Sequence, residues 1–297
     1  MSPEHVADLA GVPVGRTRPV AIMGVINVSP ESFHAGSVRR PADVLATALT
    51  MVEAGAALID IGARSTAPYL ETEITEGEEA ARLGRAIERL AAKLPVLMSA
   101  DTCRPEPARV ALEAGARVIN DVSTLRDPAV ARLVAQHSAS LVLMAAAPVG
   151  AGRRAGGRGS RRPQGRGPAP VVAIRKILAE GLRRARAAGI PERRIVVDPG
   201  IGFFRDVDVP WHEWDARVLV GLGSLRALAR PICVGVSRKS SIGTILERPD
   251  TADRLAGSLA ATAIAVVNGA AVIRTHDVAE TRDAVRVAER LRREVAR

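Results

Sequence analysis

Hydrophobic positions along this chain fall into two alternating patterns. The first is a set of short β-rich runs, most of them continuously apolar rather than alternating: Val20–Ile26, Ala57–Ile61, Val96–Ala100, Arg117–Asn120, Ser140–Leu143, Arg194–Val197, Ile232–Val236 and Ala271–Arg274. Unbroken runs of this length are expected of parallel strands covered on both faces. The second is a set of longer, Ala-rich segments with helical spacing, among them Pro41–Ala54, Glu78–Ala92, Pro105–Ala114, Val171–Ala188 and Thr251–Val267. Strands alternating with helices predict either a barrel or a doubly wound sheet, and a count of eight strands favours the (β/α)8 barrel. The length of 297 residues suits one such domain, taken as 19–297, after an N-terminal extension 1–18.

A repeated detail sharpens this α/β reading. The segments EAGAALIDIG, EAGARVIND and NGAAVIRTH each run from a helix end through Gly into a strand and then to a polar residue. Gly at a helix C-terminus allows the sharp turn into the next strand. The strands then end in side chains with chemistry: Asp60, Asn120 with Asp121, and Arg274 with His276. In a barrel these ends meet on one face, where active sites sit.

One segment interrupts the alternation. Pro148–Pro170 holds six arginines, many glycines and no acid, and it follows the fifth strand. It cannot build a core, so a flexible insertion is expected on the active-site face. Arg/Gly tracts also neutralise phosphates, but no aromatic residues interleave this one, which disfavours nucleic acid as a partner.

Composition changes the picture little. The chain is 47% hydrophobic and only 2% aromatic, so Ala, Val, Leu and Ile must fill the core. The net charge of +10 suits anionic ligands without choosing among them. Cys103 and Cys233 belong to no CxxC pair or His cluster, which predicts two reduced thiols rather than a zinc site or disulfide. The start has no signal-peptide pattern and no run is long enough to span a membrane, so a cytoplasmic protein is expected.

No GxSxG, HExxH or P-loop is present. The strand ends offer acids and an amide (Asp60, Asp101, Asn120, Asp121, Asp198) and cations (Arg238, Lys239, Arg274, His276). Carboxylates and amides suit an NH-rich heterocycle, and cations suit an anionic leaving group. Singly, each has a plainer explanation. Asp101 and Asp198 are also candidates for helix caps, and Arg238-Lys239 for surface charge.

At these residues the chain resembles the dihydropteroate synthase family. MGVINVSPESF (23–33), IDIGARSTAP (59–68), SADT (99–102), VIND (118–121), VLM (142–144), VDPGIGF (197–203), VGVSRKSSIG (234–243) and GAAVIRTHD (269–277) resemble its successive strand-end motifs, in order. The resemblance implies a pterin-binding barrel that joins 6-hydroxymethyl-7,8-dihydropterin pyrophosphate to an arylamine, 4-aminobenzoate. It implies that Asn27 helps hold Mg2+ against the pyrophosphate, with Thr66, Arg238, Arg274 and His276 around that group. It implies a pterin rim of Asp101, Asn120, Asp198 and Lys239, walls of Met144, Phe203 and Gly235, and Ser240 beside the acceptor's carboxylate. Asp101, Lys239, Arg274 and His276 are then the catalytic set, and a homodimer is expected, with the apolar Ala256–Val267 as one candidate face. No protein nucleophile is needed.

Departures cluster on the acceptor side. Ala35 stands where the family has an acid, Ala63-Arg64 for Gly-Glu, Ala67 for Arg, Met144-Ala145-Ala146 for Met-His-Met, and Phe204-Arg205 for Gly-Lys. They raise a second candidate acceptor, the ribosylated aminobenzene phosphate of methanopterin synthesis, which Arg64 and the Arg tract would suit. A non-catalytic pterin-binding protein and a pterin-dependent methyltransferase are the rival functions, and the SRK and RTH motifs argue against the methyltransferase.

Overall fold

The computed structural model describes residues 5–29, 43–64, 74–147, 169–205 and 209–295. Its centre is a closed barrel of parallel strands in the order β10-β3-β4-β5-β6-β7-β8-β9. The strands are β3 (Ala21–Asn27), β4 (Leu58–Gly62), β5 (Leu97–Asp101), β6 (Val118–Asp121), β7 (Ser140–Met144), β8 (Ile195–Asp198), β9 (Ile232–Val234) and β10 (Ala270–Thr275). All but β9 extend one residue or more beyond their expected C-terminal ends. The polar residues Asp101, Asp121 and Asp198 are therefore the last residues of strands, held by the ladder rather than by loops.

Helices α1 (Val44–Glu53), α2 (Glu76–Ala91), α3 (Pro105–Glu113), α4 (Pro128–Gln136), α5 (Pro170–Ala187), α6 (Trp211–Gly221), α7 (Ser240–Ile245), α8 (Leu255–Val267) and α9 (Val278–Val295) follow the barrel strands. Prolines open α3, α4 and α5, where a missing N–H costs nothing and φ is already helical. Helix α2 begins earlier than expected because Thr75 caps it, its hydroxyl accepting from the Glu78 N–H at 3.1 Å. The glycines of the three repeats turn as expected: Gly55, Gly115 and Gly269 have φ of 106°, 119° and 109°.

The expected helix Thr251–Val267 is broken. A short 3-10 turn, Ala252–Arg254, precedes α8. The buried Arg254 guanidinium donates to the carbonyls of Arg248 (3.0 Å) and Arg238 (3.1 Å), fixing a bend that a straight helix would not permit. On α8, Ser258, Thr262, Ala265 and Val266 face inward and are buried, while Ile264 is exposed.

The N-terminal extension carries an element not anticipated. Strands β1 (Ala7–Leu9) and β2 (Val12–Val14) form an antiparallel hairpin. Its tight turn at Ala10-Gly11 has positive φ at both residues, the twist that suits a two-residue hairpin loop. Ala7, Leu9 and Val14 are buried against Met23, Leu58, Val118, Val142, Val196, Cys233 and Val272, one or two strand positions below the candidate site. The Ser140 hydroxyl pins the hairpin, donating to the Asp8 carbonyl (2.8 Å) and accepting from the Ala10 N–H (3.0 Å).

Candidate active site

Side chains two residues apart on a strand share a face. Each apolar floor residue is therefore followed two positions later by an inward residue of the upper layer. Leu58 leads to Asp60, Val118 to Asn120, Val142 to Met144, Val196 to Asp198, Cys233 to Gly235 and Val272 to Arg274. Ser99 leads likewise to Asp101. The barrel thus gathers seven of the strand-end residues into one layer at its C-terminal mouth.

Arg274 is the hub of that layer. Its Nε donates to Asp60 Oδ2 at 2.6 Å and one Nη to Asp101 Oδ2 at 2.7 Å. Asn120 Nδ2 donates to the same Asp60 oxygen at 3.1 Å. Asp60 Oδ1 and Asp101 Oδ1 are buried with no hydrogen-bond partner among the described residues. Buried acceptors without partners are costly, and two in one pocket point to a ligand that donates. Burial pushes the Asp101 carboxyl up to about 7 against the pull of Arg274, with Asp60 adding to the rise.

Lys239 follows β9, which pairs with β10, the strand that carries Arg274. Its ammonium lies over the Phe203 ring, 4.4 Å from the centroid. Burial and then repulsion by Arg274 bring it down to about 8, against the attraction of Asp198, Asp215 and Asp101. Asp198 is raised by burial, opposed first by the Gly200 N–H that its Oδ1 accepts at 2.7 Å. Neither Asp101 nor Asp198 caps a helix: Arg104 stands at the N-cap of α3, and Asp198 folds its own turn.

Three of the expected site residues have partners of their own in the structure. The resemblance puts Arg238 near a pyrophosphate, but its guanidinium clamps Asp277 with two bonds (2.9 and 2.7 Å) and the carbonyls of Thr251 and Ala252 (both 2.8 Å). It braces the loop leading to α8. Arg64 is expected to face a phosphorylated acceptor, but it pairs with Glu79 at 3.2 Å. Glu79 is fully buried and also takes Arg104 (3.1 Å) and the Thr102 hydroxyl (2.6 Å). Ser240 opens α7, and its hydroxyl accepts from an Arg205 Nη. His276 Nδ1 sits 2.9 Å from the Ser237 hydroxyl at the rim. Asn27 ends β3, its Oδ1 beside Gly62. Thr66, Ala35 and Ala67, and residues 148–168 of the Arg/Gly-rich segment, lie outside the described residues.

Reading the strand ends gave no role to Glu79 or Asp215 and no partner to Asp60. Asp60 carried a signal, its place at the end of the first repeat. Glu79 stands among exposed acids on α2, and only packing separates it from Glu76 and Glu78. Asp215 on α6 accepts the Gly202 N–H at 3.0 Å and so fixes the turn that carries Phe203. Cys103 is pushed up to about 11 by burial and by Asp121, and Cys233 well above its usual range by burial, so neither is a ready nucleophile.

Comparison with known proteins agrees with this layout. Residues 23–276 match the family model described as pterin binding enzyme. The dihydropteroate synthase of Escherichia coli K12 is 33% identical over 269 residues, covering 90% of both chains. That of Mycobacterium leprae is 36% identical over 277 residues, covering 91% of this chain and 92% of the relative. The structure of Xanthomonas albilineans dihydropteroate synthase with 4-aminobenzoic acid superposes with a TM-score of 0.80 at 34% identity, over 97% of this chain and 98% of that one.

Proposed function

This chain belongs to the dihydropteroate synthase family, and we infer from that membership that it condenses 6-hydroxymethyl-7,8-dihydropterin pyrophosphate with 4-aminobenzoate and releases pyrophosphate. The observation that carries the reading is the inward layer of Asp60, Asp101, Asn120 and Asp198 around Arg274, with two buried carboxylate oxygens open to a donor. A pterin ring presents an amino group and ring N–H donors to such a rim.

The chain's residues then divide the work. Asp101, Asn120 and Asp198 orient the ring between Met144, Gly235 and Phe203, and Lys239 reaches one of its acceptors. Asp101 also places negative charge beside the methylene as it becomes cationic. Arg274 and His276 meet the pyrophosphate; for Arg274 this requires exchanging part of its grip on Asp60 and Asp101, and substrate binding at those carboxylates loosens that grip. The C–O bond to pyrophosphate breaks, the amine nitrogen bonds to the methylene carbon, and the amine releases a proton. No covalent enzyme intermediate is required, in keeping with the raised Cys103 thiol.

The residues fit Mg2+ in one limited way. Among the described residues no group of three or more His, Cys, Asp or Glu side chains is placed to hold a metal. Asn27 offers a single hard oxygen at the mouth, the donor set of an ion held mostly by substrate phosphates and water. When bound there, Mg2+ supplies charge neutralisation to the leaving pyrophosphate.

A homodimer remains part of the proposal. Its support is the exposed apolar set Val220 on α6, Ile245 and Leu246 at α7, and Ile264 on α8, with α6 packed against both neighbours. Among the described residues no helix is long and apolar enough to cross a membrane. Of the two features that suit the methanopterin-type acceptor, Arg64 pairs with Glu79, and the Arg tract lies outside the described residues.

The test is pyrophosphate release from the pterin pyrophosphate with Mg2+ and each amine in turn. Release with 4-aminobenzoate is expected. Release only with the ribosylated aminobenzene phosphate would overturn the acceptor assignment, and pterin binding without release would make the chain a non-catalytic binder.

A further inference from the structure

The residues that follow the Asp198 turn are each docked on α6 or α7 in a different way. Gly202 donates its N–H to the buried Asp215. Phe203 lies under the Lys239 ammonium. Phe204 is buried and stacks on Trp214, with centroids 5.5 Å apart and an interplanar angle of 26°. Arg205 places its guanidinium carbon 3.7 Å from the centroid of the Trp211 ring and donates from an Nη to the Ser240 hydroxyl. Trp211, Trp214 and Asp215 occupy neighbouring positions on the first turns of α6. The segment 202–205 is thus seated on a platform, and Arg205 is half-buried rather than waving in solvent.

This geometry has a chemical consequence at Ser240. A hydroxyl has one hydrogen and two lone pairs. With a lone pair taken by Arg205, its hydrogen is left to point away from the guanidinium as a donor. A stacked guanidinium is planar, permanently charged and limited in rotation, so it meets a second oxygen at little further entropic cost. Lys239, one residue before Ser240, adds its own cation.

We propose that Arg205 is a specificity-determining residue, which with Ser240 selects arylamines bearing an acidic group opposite the amine. The inference rests on the reading of Ser240 as the neighbour of the acceptor's acid. Trp211 is a positioning residue that holds Arg205 in line.

The test compares 4-aminobenzoate with 4-methylaniline, which lacks the acid, in the full-length protein. The readout is the ratio of their kcat/KM values. Arg205→Ala is expected to lower that ratio about tenfold, the worth of one charge-assisted hydrogen bond, through KM for the acid rather than kcat. Arg205→Lys restores part of the ratio, because it keeps the charge but not the fork, and Trp211→Leu lowers it less than Arg205→Ala does. Equilibrium binding of pteroate against its decarboxylated analogue provides a second readout independent of turnover, with the same tenfold change expected. An unchanged ratio in Arg205→Ala, or an equal loss for both amines, overturns the proposal while the enzyme reading stands. A wild-type protein that neither turns over nor binds pteroate overturns that reading and this inference with it.

Discussion

The two ends of this barrel are built from the same strands and do opposite things. At the lower end the inward positions are Met23, Leu58, Val118, Val142, Val196, Cys233 and Val272, closed off by Ala7, Leu9 and Val14 of the hairpin. Two residues further along, the same strands present Asp60, Asn120, Met144, Asp198, Gly235 and Arg274, with Asp101 beside them. The floor is apolar apart from the buried Ser99 hydroxyl. In the upper layer two buried carboxylate oxygens have no hydrogen-bond partner among the described residues, and the Lys239 ammonium is brought down to about 8. One period of the strand therefore separates a layer that stores stability from a layer that stores binding capacity. The hairpin makes this possible by excluding water from beneath the charges, which strengthens their fields.

The sharpest way to break this comparison is Arg274→Ala. It removes the shared partner of Asp60 and Asp101 and leaves two buried carboxylates facing one another. Turnover should fall by about a hundredfold to a thousandfold, as for loss of a preorganised charge at the reacting group. Folding stability should drop by about 3–5 kcal/mol, the cost of breaking a buried pair from one side. Turnover kinetics and urea unfolding measure the two, and retained turnover would place Arg274 in the scaffold.

Leu9→Ala tests the other end. Leu9 is fully buried in the floor, so the truncation should cost about 2–5 kcal/mol in urea unfolding. Below the melting transition, kcat/KM should stay within about twofold, a change worth less than about 0.5 kcal/mol. A large fall in kcat/KM of the folded variant would show that the hairpin shapes the site as well as supporting it.

The smallest effect concerns pH. Lys239 carries its charge below about 8 and loses it above, while Asp101 is protonated below about 7. Activity should therefore be greatest between those values, with KM for 4-aminobenzoate rising above the upper one by up to about tenfold per pH unit. Lys239→Arg keeps its charge throughout, so its alkaline rise in KM should vanish even though kcat is lower. A rise that survives in Lys239→Arg assigns the alkaline limb to another group.

Much of this was legible along the chain. The eight apolar runs, the three Gly turns and the polar strand ends recur in the barrel with shifts of a residue or two, because unbroken β-branched runs and helix-ending glycines act locally. The hairpin was not read, although Ala7, Leu9, Val12 and Val14 alternate around Gly11. Two strands of three residues carry too little pattern to stand out until the barrel offers them an apolar floor. The break before α8 likewise depends on Arg254 reaching carbonyls sixteen and six residues back in the chain.

Side-chain type fixed which residues have chemistry; it did not fix what each would face. Arg64, Arg238 and Arg274 look alike in the sequence, three cations beside strand ends. Packing gives the first to Glu79, the second to Asp277 and the third to Asp60 and Asp101. Arg205, two residues beyond the GIGF turn, is brought to Ser240 only because Asp215 and two tryptophans of α6 seat the intervening segment. Periodicity and turn chemistry are local, so the order of residues alone was enough to set the strands, their alternation with helices and the single face on which acids, amides and cations gather. The partner of each charge depends on distances across the barrel, from 15 residues of separation for Arg64 and Glu79 to 214 for Arg274 and Asp60, and those are set only when the barrel closes.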